Sequence, residues 1–569
     1  MIVSLNWLKE LVEYKLNPQD LANKLSLISI GVKELTENCL ELDLTYNRGD
    51  LLSLRGVARE IAAITSSKLL FSAPDPSCYQ WTNQTLHKTP VEIEDEKLSS
   101  VQCIAKIEGL IVEPSNPGWV KKLEDSGIRS VNNLVDVTNL MMLEFGQPFH
   151  AFDAKFISDE TIIVRRAKNG EEITTLDNKL RKLTSQDIVL ADTKGAVDVG
   201  GIMGGKDTEI KESTHTILLS ASTFNSVMVR KTSKKLGLYS EASKRFQHGL
   251  TKTNLLAALA AAIKMYESLG GKLVAVNIVG DLEEKPKTVK LTQKKLNDLL
   301  GISIDPEFIL SSLEKLGFKV LASQGLTLRA WEVKVPYWRL DINIEEDLIE
   351  EVARIYGYDK IEGKPLDDKL PEKLDESLPD FIYKLKKACK DIGLIEVQSY
   401  PFYSTNVLTA LAFTDEYRKY LIKIANPISL ETEYLRINIW PNLVEVVGKN
   451  LRRGHNDIAI FEIGKSYHKS YVGKEIPEEG YVLSIALCNR TNNPLAELYK
   501  IAENLCVHLR GVELKVGKPS KVVTDLFHPN RFVHIEKDGK PIGGMAEVHL
   551  RVLNKLGIEK RVAVLEIEI

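Results

Sequence analysis

The sequence predicts an α+β chain of several domains, and three observations carry that expectation. The chain has 569 residues, several times the roughly 150 of a typical domain, so more than one hydrophobic core can form. Runs rich in β-branched residues recur between segments with helical spacing of apolar residues. A polar stretch with two prolines, FSAPDPSCYQWTNQT, interrupts the pattern and places a first boundary near residue 76. Segments 1–75, 76–275, 280–365 and 370–569 follow as the expected domains.

Composition narrows the class. Hydrophobic residues make up 44% and charged residues 27% of the chain, ordinary proportions for a soluble globular protein. A formal net charge of -3 excludes a uniformly basic nucleic-acid coat but not a local basic face. The six cysteines form no CxxC pair, which fits neither a zinc knuckle nor a disulfide scaffold and points to a reducing, cytoplasmic setting. Lys9 and Glu10 interrupt the apolar N-terminus, so no signal peptide is expected. No charge-free apolar run approaches the roughly 18 residues of a membrane span.

The elements follow in order. Residues 3–30 read as a strand and helices, with Pro18 suited to a first turn. Glu41 to Thr45 reads as a strand, NRGD as a turn, and 51–65 as a helix that Asp50 can cap. In the second segment CIAKIEGLIV, TIIVRRA, DIVLAD and TILLSAS read as strands, AVDVGGIMGG as a glycine-dense turn, and NLLAALAAAIKMYESLGG as an alanine-rich helix ended by glycine. The third segment alternates strand and helix in a compact winged-helix-like pattern. There WEVKVPYWRLDI reads as two short strands broken at a proline. The last segment, with strands at 396–401, 458–463, 481–488, 533–536 and 562–568 and helices at 379–392 and 495–509, reads as an antiparallel sheet flanked by helices.

Several residues can carry chemistry. DINIEEDLIEE holds six acids in eleven residues. Asp347, Glu350 and Glu351 sit at i, i+3 and i+4 of an expected helix, with Asp341 just before it. Oxygen ligands on a rigid element suit Mg²⁺, whereas a solvated first turn complementing the helix dipole is the plainer reading. His150, in EFGQPFHAFD and near Thr138 in sequence, can bind or activate water or serve as a structural group. GGIMGG lacks the lysine and serine of a phosphate loop, so its glycines point to a tight turn and close approach. Arg230, Lys231, Lys234, Lys235, Lys244 and Arg245 can meet phosphates or form a solvated face.

Long collinear motifs then resemble one family. LTYNRGDLLSLRGVAREIAA (44–63), NNLVDVTNLMMLEFGQPFHAFD (132–153), GGIMGG (200–205), SVMVRKTSKKLGLYSEASKRFQHG (226–249), VPYWRLDINIEEDLIEEVARIYGYDKI (335–361) and HPNRFVHIEKDGKPIGGMAEVH (528–549) resemble the β chain of bacterial-type phenylalanyl-tRNA synthetase. The resemblance implies a B3/B4 editing-like domain, a B5 domain and a class II synthetase-like domain that is catalytically inactive. It implies an (αβ)₂ heterotetramer with an α subunit that binds ATP and joins phenylalanine to tRNA(Phe), leaving no synthetic catalytic residue on this chain.

Carried onto this sequence, the family's magnesium ligands fall on Asp341, Asp347, Glu350 and Glu351. Its editing pocket, which hydrolyses mischarged tyrosyl-tRNA, falls on Thr138, His150 and Gly204, with Ser220 where the family usually places a glutamate in an LExA segment. Gly200 stands where an alanine is usual. Serine offers no carboxylate, so weakened or absent editing is expected. The resemblance also implies a reduced chain, without the tRNA-binding OB-fold usually inserted before the NRGD motif and without the C-terminal anticodon-binding domain. A regulatory paralogue and a stand-alone editing hydrolase are the alternatives.

Overall fold

A computed structural model describes residues 1–72, 90–282, 284–321, 330–365, 376–412, 419–468, 476–488, 493–506, 512–518 and 525–569. The boundary placed near residue 76, and Cys78 with it, lies outside these residues. The chain forms two compact units, Met1–Leu366 and Asp367–Ile569, so the first three predicted segments fall within one unit.

The first unit begins with an antiparallel sheet of Ile2–Ser4, Gly31–Leu35 and Cys39–Asp43, covered by the helices Leu5–Leu11, Pro18–Ile28 and Leu54–Thr65. Ser4 and Asn17 cap the first two helices through their side chains, and Pro18 occupies a first-turn position. Gly31–Leu35 turns directly into Cys39–Asp43, closed by the Thr36 N–H on the Cys39 carbonyl. The hairpin leaves no place there for an inserted domain. The third helix is capped by Ser53, whose hydroxyl accepts from Gly56 N. Asp50, expected as the cap, is drawn away by Arg48, as described below.

Two sheets then pack face to face. One is antiparallel throughout, in the order Lys272–Gly280, Ser99–Glu108, Thr216–Phe224, Phe149–Asp153. The other runs Met203–Gly204, Ala196–Val199, Ile188–Ala191, Ile162–Arg166 and Val91–Ile93, the last pair parallel. Alternation decides which side chains meet. Ile104, Phe152 and Leu218 face the second sheet and join Val164 and Leu190 in one core, while Cys103, Ala105 and Leu219 face the helices Asn133–Phe145 and Lys252–Ser268 in another. The segment read as a glycine-dense turn is instead a short hairpin, Ala196–Val199 with Met203–Gly204. Gly201 takes a positive φ of 72° at its bend, a conformation that favours glycine.

The rest of this unit is the expected compact module. It has a three-stranded sheet of Thr288–Thr292, Ala330–Lys334 and Lys319–Leu321, with the helices Gln293–Leu300, Pro306–Lys315 and Glu345–Tyr356. WEVKVPYWRLDI supplies one strand, not two. After Lys334 the chain turns at Pro336, whose carbonyl accepts from Arg339 N, and a proline has no N–H for the ladder.

The second unit is built on one seven-stranded sheet among the described residues. Its order is Ile395–Glu396, Ile458–His468, Glu478–Cys488, Ala563–Glu568, Lys540–Val548, Phe527–Lys537 and Val512–Gly517. All pairs are antiparallel except the first. Along Glu478–Cys488 the side chains of Val482, Ala486 and Cys488 enter one core with the helix Trp440–Arg452. Those of Leu483, Ile485 and Leu487 enter another with the helices Ser377–Asp391 and Pro494–Cys506. This two-sided burial is what an antiparallel sheet flanked by helices requires.

Candidate functional site

Within the first unit a cavity of about 200 Å³ opens between the two packed sheets. His150 reaches it from the strand Phe149–Asp153, where it pairs in register with Ser220 on the neighbouring strand. Gly204 comes to the same place from the short hairpin. A Cβ on Gly204 would stand 2.2 Å from His150 Cε1, so the imidazole occupies the space that glycine leaves. Three of the four residues expected in the pocket therefore meet: His150, Gly204 and Ser220. Thr138 is not among the lining residues. It sits on the helix Asn133–Phe145 with its hydroxyl turned back onto the Val135 carbonyl at 2.7 Å, a bond open to a helical threonine because its Oγ lies close to preceding carbonyls.

The polar wall is a short hydroxyl–amide chain. Ser220 Oγ accepts from Gln102 Nε2 at 2.9 Å, and Ser222 Oγ donates to Gln102 Oε1. All three residues are buried, so the Ser220 oxygen already accepts one bond from the protein itself. His150 Nε2 is buried without a hydrogen-bond partner. Burial pulls the His150 pKa down to about 4, which keeps the ring neutral near pH 7. Phe149, Phe224, Phe246, Leu190 and Ile202 supply apolar walls. The Ser240 hydroxyl pins the glycine bend by donating to the Ile202 carbonyl at 2.7 Å.

One lining residue has no counterpart among the expected site residues. Asp198, on the strand Ala196–Val199, is 4% exposed. Its carboxylate makes no hydrogen bond or ion pair among the described residues, and desolvation pushes its pKa up to about 7. The available signal was a single acid among β-branched residues in AVDV, overlooked because the segment read as a turn.

The acidic cluster at 341–351 has a different fate. Arg339 holds both Asp341 oxygens, at 2.9 and 2.8 Å, and also binds Glu351. Arg354 binds Glu351 again and reaches Glu60 on the helix Leu54–Thr65. Glu60 in turn pairs with Arg48 of the NRGD turn, which grips Asp50 with two bonds of 2.9 Å. Three arginines and four carboxylates thus form one buried chain of charges. Burial alone would raise the Glu60 carboxyl, but the Arg354 and Arg48 guanidiniums outweigh it and hold the pKa down to about 2. Glu351 is lowered in the same way, its burial overcome by Arg354 and Arg339.

Asp347 accepts from the Asn343 and Ile344 backbone N–H groups at 2.6 and 2.9 Å and closes the start of its helix. Glu350 faces solvent. Glu350 and Glu351 do not share a face, because adjacent helical residues are about 100° apart and the Leu348–Val352 face is the buried one. The four carboxylates expected as Mg²⁺ ligands are therefore divided between arginines, a helix start and solvent. Among the described residues no group of three or more His, Cys, Asp or Glu side chains is placed to hold a metal ion. The donor set does not fit a resident Mg²⁺, because its two most buried carboxylates are already neutralised.

The basic residues at 230–245 do not form a single phosphate-facing patch either. Arg245 is 1% exposed and donates to the Leu52 carbonyl and Glu241. Lys235 is paired with Asp187, and Lys244 with Glu241.

The sequence compared with known proteins agrees with this layout. Models of three families match: the B3/4 domain over residues 101–271, the tRNA synthetase B5 domain over 289–358, and the phenylalanyl tRNA synthetase beta chain CLM domain over 372–569. The phenylalanine–tRNA ligase beta subunit of Carboxydothermus hydrogenoformans is 34% identical over 559 residues, covering 94% of this chain and 67% of that protein. This chain belongs to the phenylalanine–tRNA ligase beta-subunit family. The corresponding subunits of Syntrophus aciditrophicus and Geobacter sulfurreducens are 33% and 31% identical, covering 95% and 97% of this chain and 68% and 69% of their own lengths. An N-terminal fragment of the phenylalanyl-tRNA synthetase beta subunit from Pyrococcus horikoshii aligns at 17% identity with a TM-score of 0.36, over 63% of this chain and 99% of the fragment. That likeness is too weak to add to the sequence relationship. As a member of this family, the beta chain serves phenylalanine–tRNA ligase. Among the described residues no helix is long and apolar enough to cross a membrane.

Proposed function

We propose that this beta chain works in the cytoplasm in an (αβ)₂ phenylalanine–tRNA ligase. The α subunits bind ATP with Mg²⁺ and join phenylalanine to tRNA(Phe). The beta chain contributes scaffold, tRNA contacts and the cavity around His150. The observation that carries this reading is the collinear family relationship over 94% of the chain.

Assigning ligation to α is supported by the second unit's own groove of about 270 Å³. No lysine or arginine is among the described residues that line it, so a triphosphate would find no strong cation there. Its Glu566 carboxylate is spent on Asn438 and on the backbone N–H groups of Ile439 and Trp440.

In the cavity of the first unit, the substrate is the ester end of a misacylated tRNA. Water adds to the ester carbonyl, the bond to the ribose oxygen breaks, and that oxygen takes up the proton, releasing tyrosine and free tRNA. Neutral His150 stands in the cavity wall with its Nε2 packed against Gly204, where it positions the ester end. Ser220, held by Gln102, brings no carboxylate, so hydrolysis is weak. The experiment is aminoacylation of tRNA by the chain with and without an α partner. Phenylalanine attachment is expected only with α, and activity of the beta chain alone overturns the assignment. Rapid beta-dependent hydrolysis of tyrosyl-tRNA by the pure tetramer overturns weak editing.

A further inference from the structure

Asp198 lines the cavity with no protein partner for its carboxylate among the described residues. A carboxylate in an apolar wall is unfavourable unless a ligand, water or a proton meets it, and every other buried acid described above has a guanidinium or backbone N–H for company. Its direction follows from strand register. Asp198 stands directly opposite Gly204, and side chains of directly opposed residues project to the same side of a sheet. The Gly204 Cβ direction runs straight into His150, so Asp198 projects into the cavity on the His150 side. Around it stand Phe149, Phe224, Phe246 and Leu190, walls suited to an aromatic ring.

We infer that Asp198 is the specificity-determining residue of this cavity, its carboxylate accepting a hydrogen bond from the phenolic hydroxyl of a tyrosyl ester. The inference rests on reading the cavity as an editing pocket, and it adds an acceptor at position 198 that recognises the tyrosyl group without restoring the carboxylate at position 220, so hydrolysis stays slow. A site that awaits a hydroxyl rejects the analogue lacking it, because the buried acceptor is then left unpaired. A bound phenylalanyl ester would leave Asp198 in its present unpartnered state. Correctly charged tRNA is thereby spared, which an apolar pocket alone could not achieve.

The test uses the full heterotetramer and three non-hydrolysable 3′-aminoacylamino-adenosines, carrying tyrosine, phenylalanine and O-methyltyrosine. The tyrosyl compound should bind about tenfold or more tighter than the other two, a difference of ~1.4 kcal/mol, and Asp198→Ala should abolish the preference. Equal binding of all three to the unmodified protein overturns the inference without needing any variant. Equal weakening of the tyrosyl and phenylalanyl compounds by Asp198→Ala also overturns it, because Asp198 would then hold the shared α-ammonium. Hydrolysis of tyrosyl-tRNA is measured in parallel. A tyrosyl preference without hydrolysis leaves the recognition intact and removes the editing reading, whereas hydrolysis without a preference does the reverse.

Discussion

At Asp198, strand register brings a carboxylate into an apolar cavity, and the consequence for stability has a definite sign. Burial raises the Asp198 pKa from an ordinary 3.8 to about 7. Folding therefore favours the protonated form. Stability from this group is fully present below pH 3.8 and is lost as the pH rises through about 7, a change of roughly 4 kcal/mol. Asp198→Asn keeps the shape without the charge, so its melting temperature should exceed that of the unmodified protein by a margin that grows between pH 4 and pH 7 and is constant above. Thermal melts at pH 4, 6 and 8 check this, and a margin independent of pH would show that Asp198 ionises as freely as in water. Gly204 is the neighbouring residue whose identity the structure explains most directly, since any side chain there must displace the imidazole of His150. The family resemblance set Gly204 and His150 in one pocket. That the imidazole fills the space a Cβ would need comes only from the fold, which brings in a strand more than fifty residues earlier in the chain.

Among the elements, the helices Leu54–Thr65 and Glu345–Tyr356 are joined by the charge chain Arg48–Glu60–Arg354–Glu351–Arg339. Removing one member of a buried network strands its partners, typically at a cost of ~3–5 kcal/mol. Arg354→Met should therefore destabilise the first unit by about that amount in a urea titration, whereas Glu350→Gln, on the solvent face, should be neutral. The Glu60 pKa is held down to about 2 from 4.5, so its share of stability is present above pH 4.5 and is lost as the pH falls towards 2. The acid limb of the stability curve should flatten in Arg354→Met. Helical spacing located an acidic helix over 345–358, which the structure ends at Tyr356. It did not reveal which acids were neutralised, because the neutralising arginines include Arg339 in the preceding turn, and the chain they belong to extends to Arg48 and Glu60 some three hundred residues away. The Asp50 cap failed for the same reason: Arg48 competes for the carboxylate, and Ser53 takes over the helix start.

At the scale of the whole molecule, the cavity and the charge chain both lie inside the unit Met1–Leu366. That unit produced separately should melt cooperatively and bind the tyrosyl amide with the affinity of the full chain. Weaker binding would show that the second unit is needed to shape the pocket. The sequence by itself determined the α+β class, most of the helices and strands, and the family, because apolar periodicity and long collinear motifs are local and are written along the chain; the family resemblance then named three of the residues that meet in the cavity. Only the tertiary structure decided what the charged residues do. Asp341 and Glu351 became ion-pair partners rather than metal ligands, Arg245 became a core residue, Thr138 turned back onto its own helix, and Asp198 emerged unpartnered in the cavity. The physical reason is that the energy of a charge depends on its burial and on the sign of what folds against it, and neither is set by its neighbours in sequence.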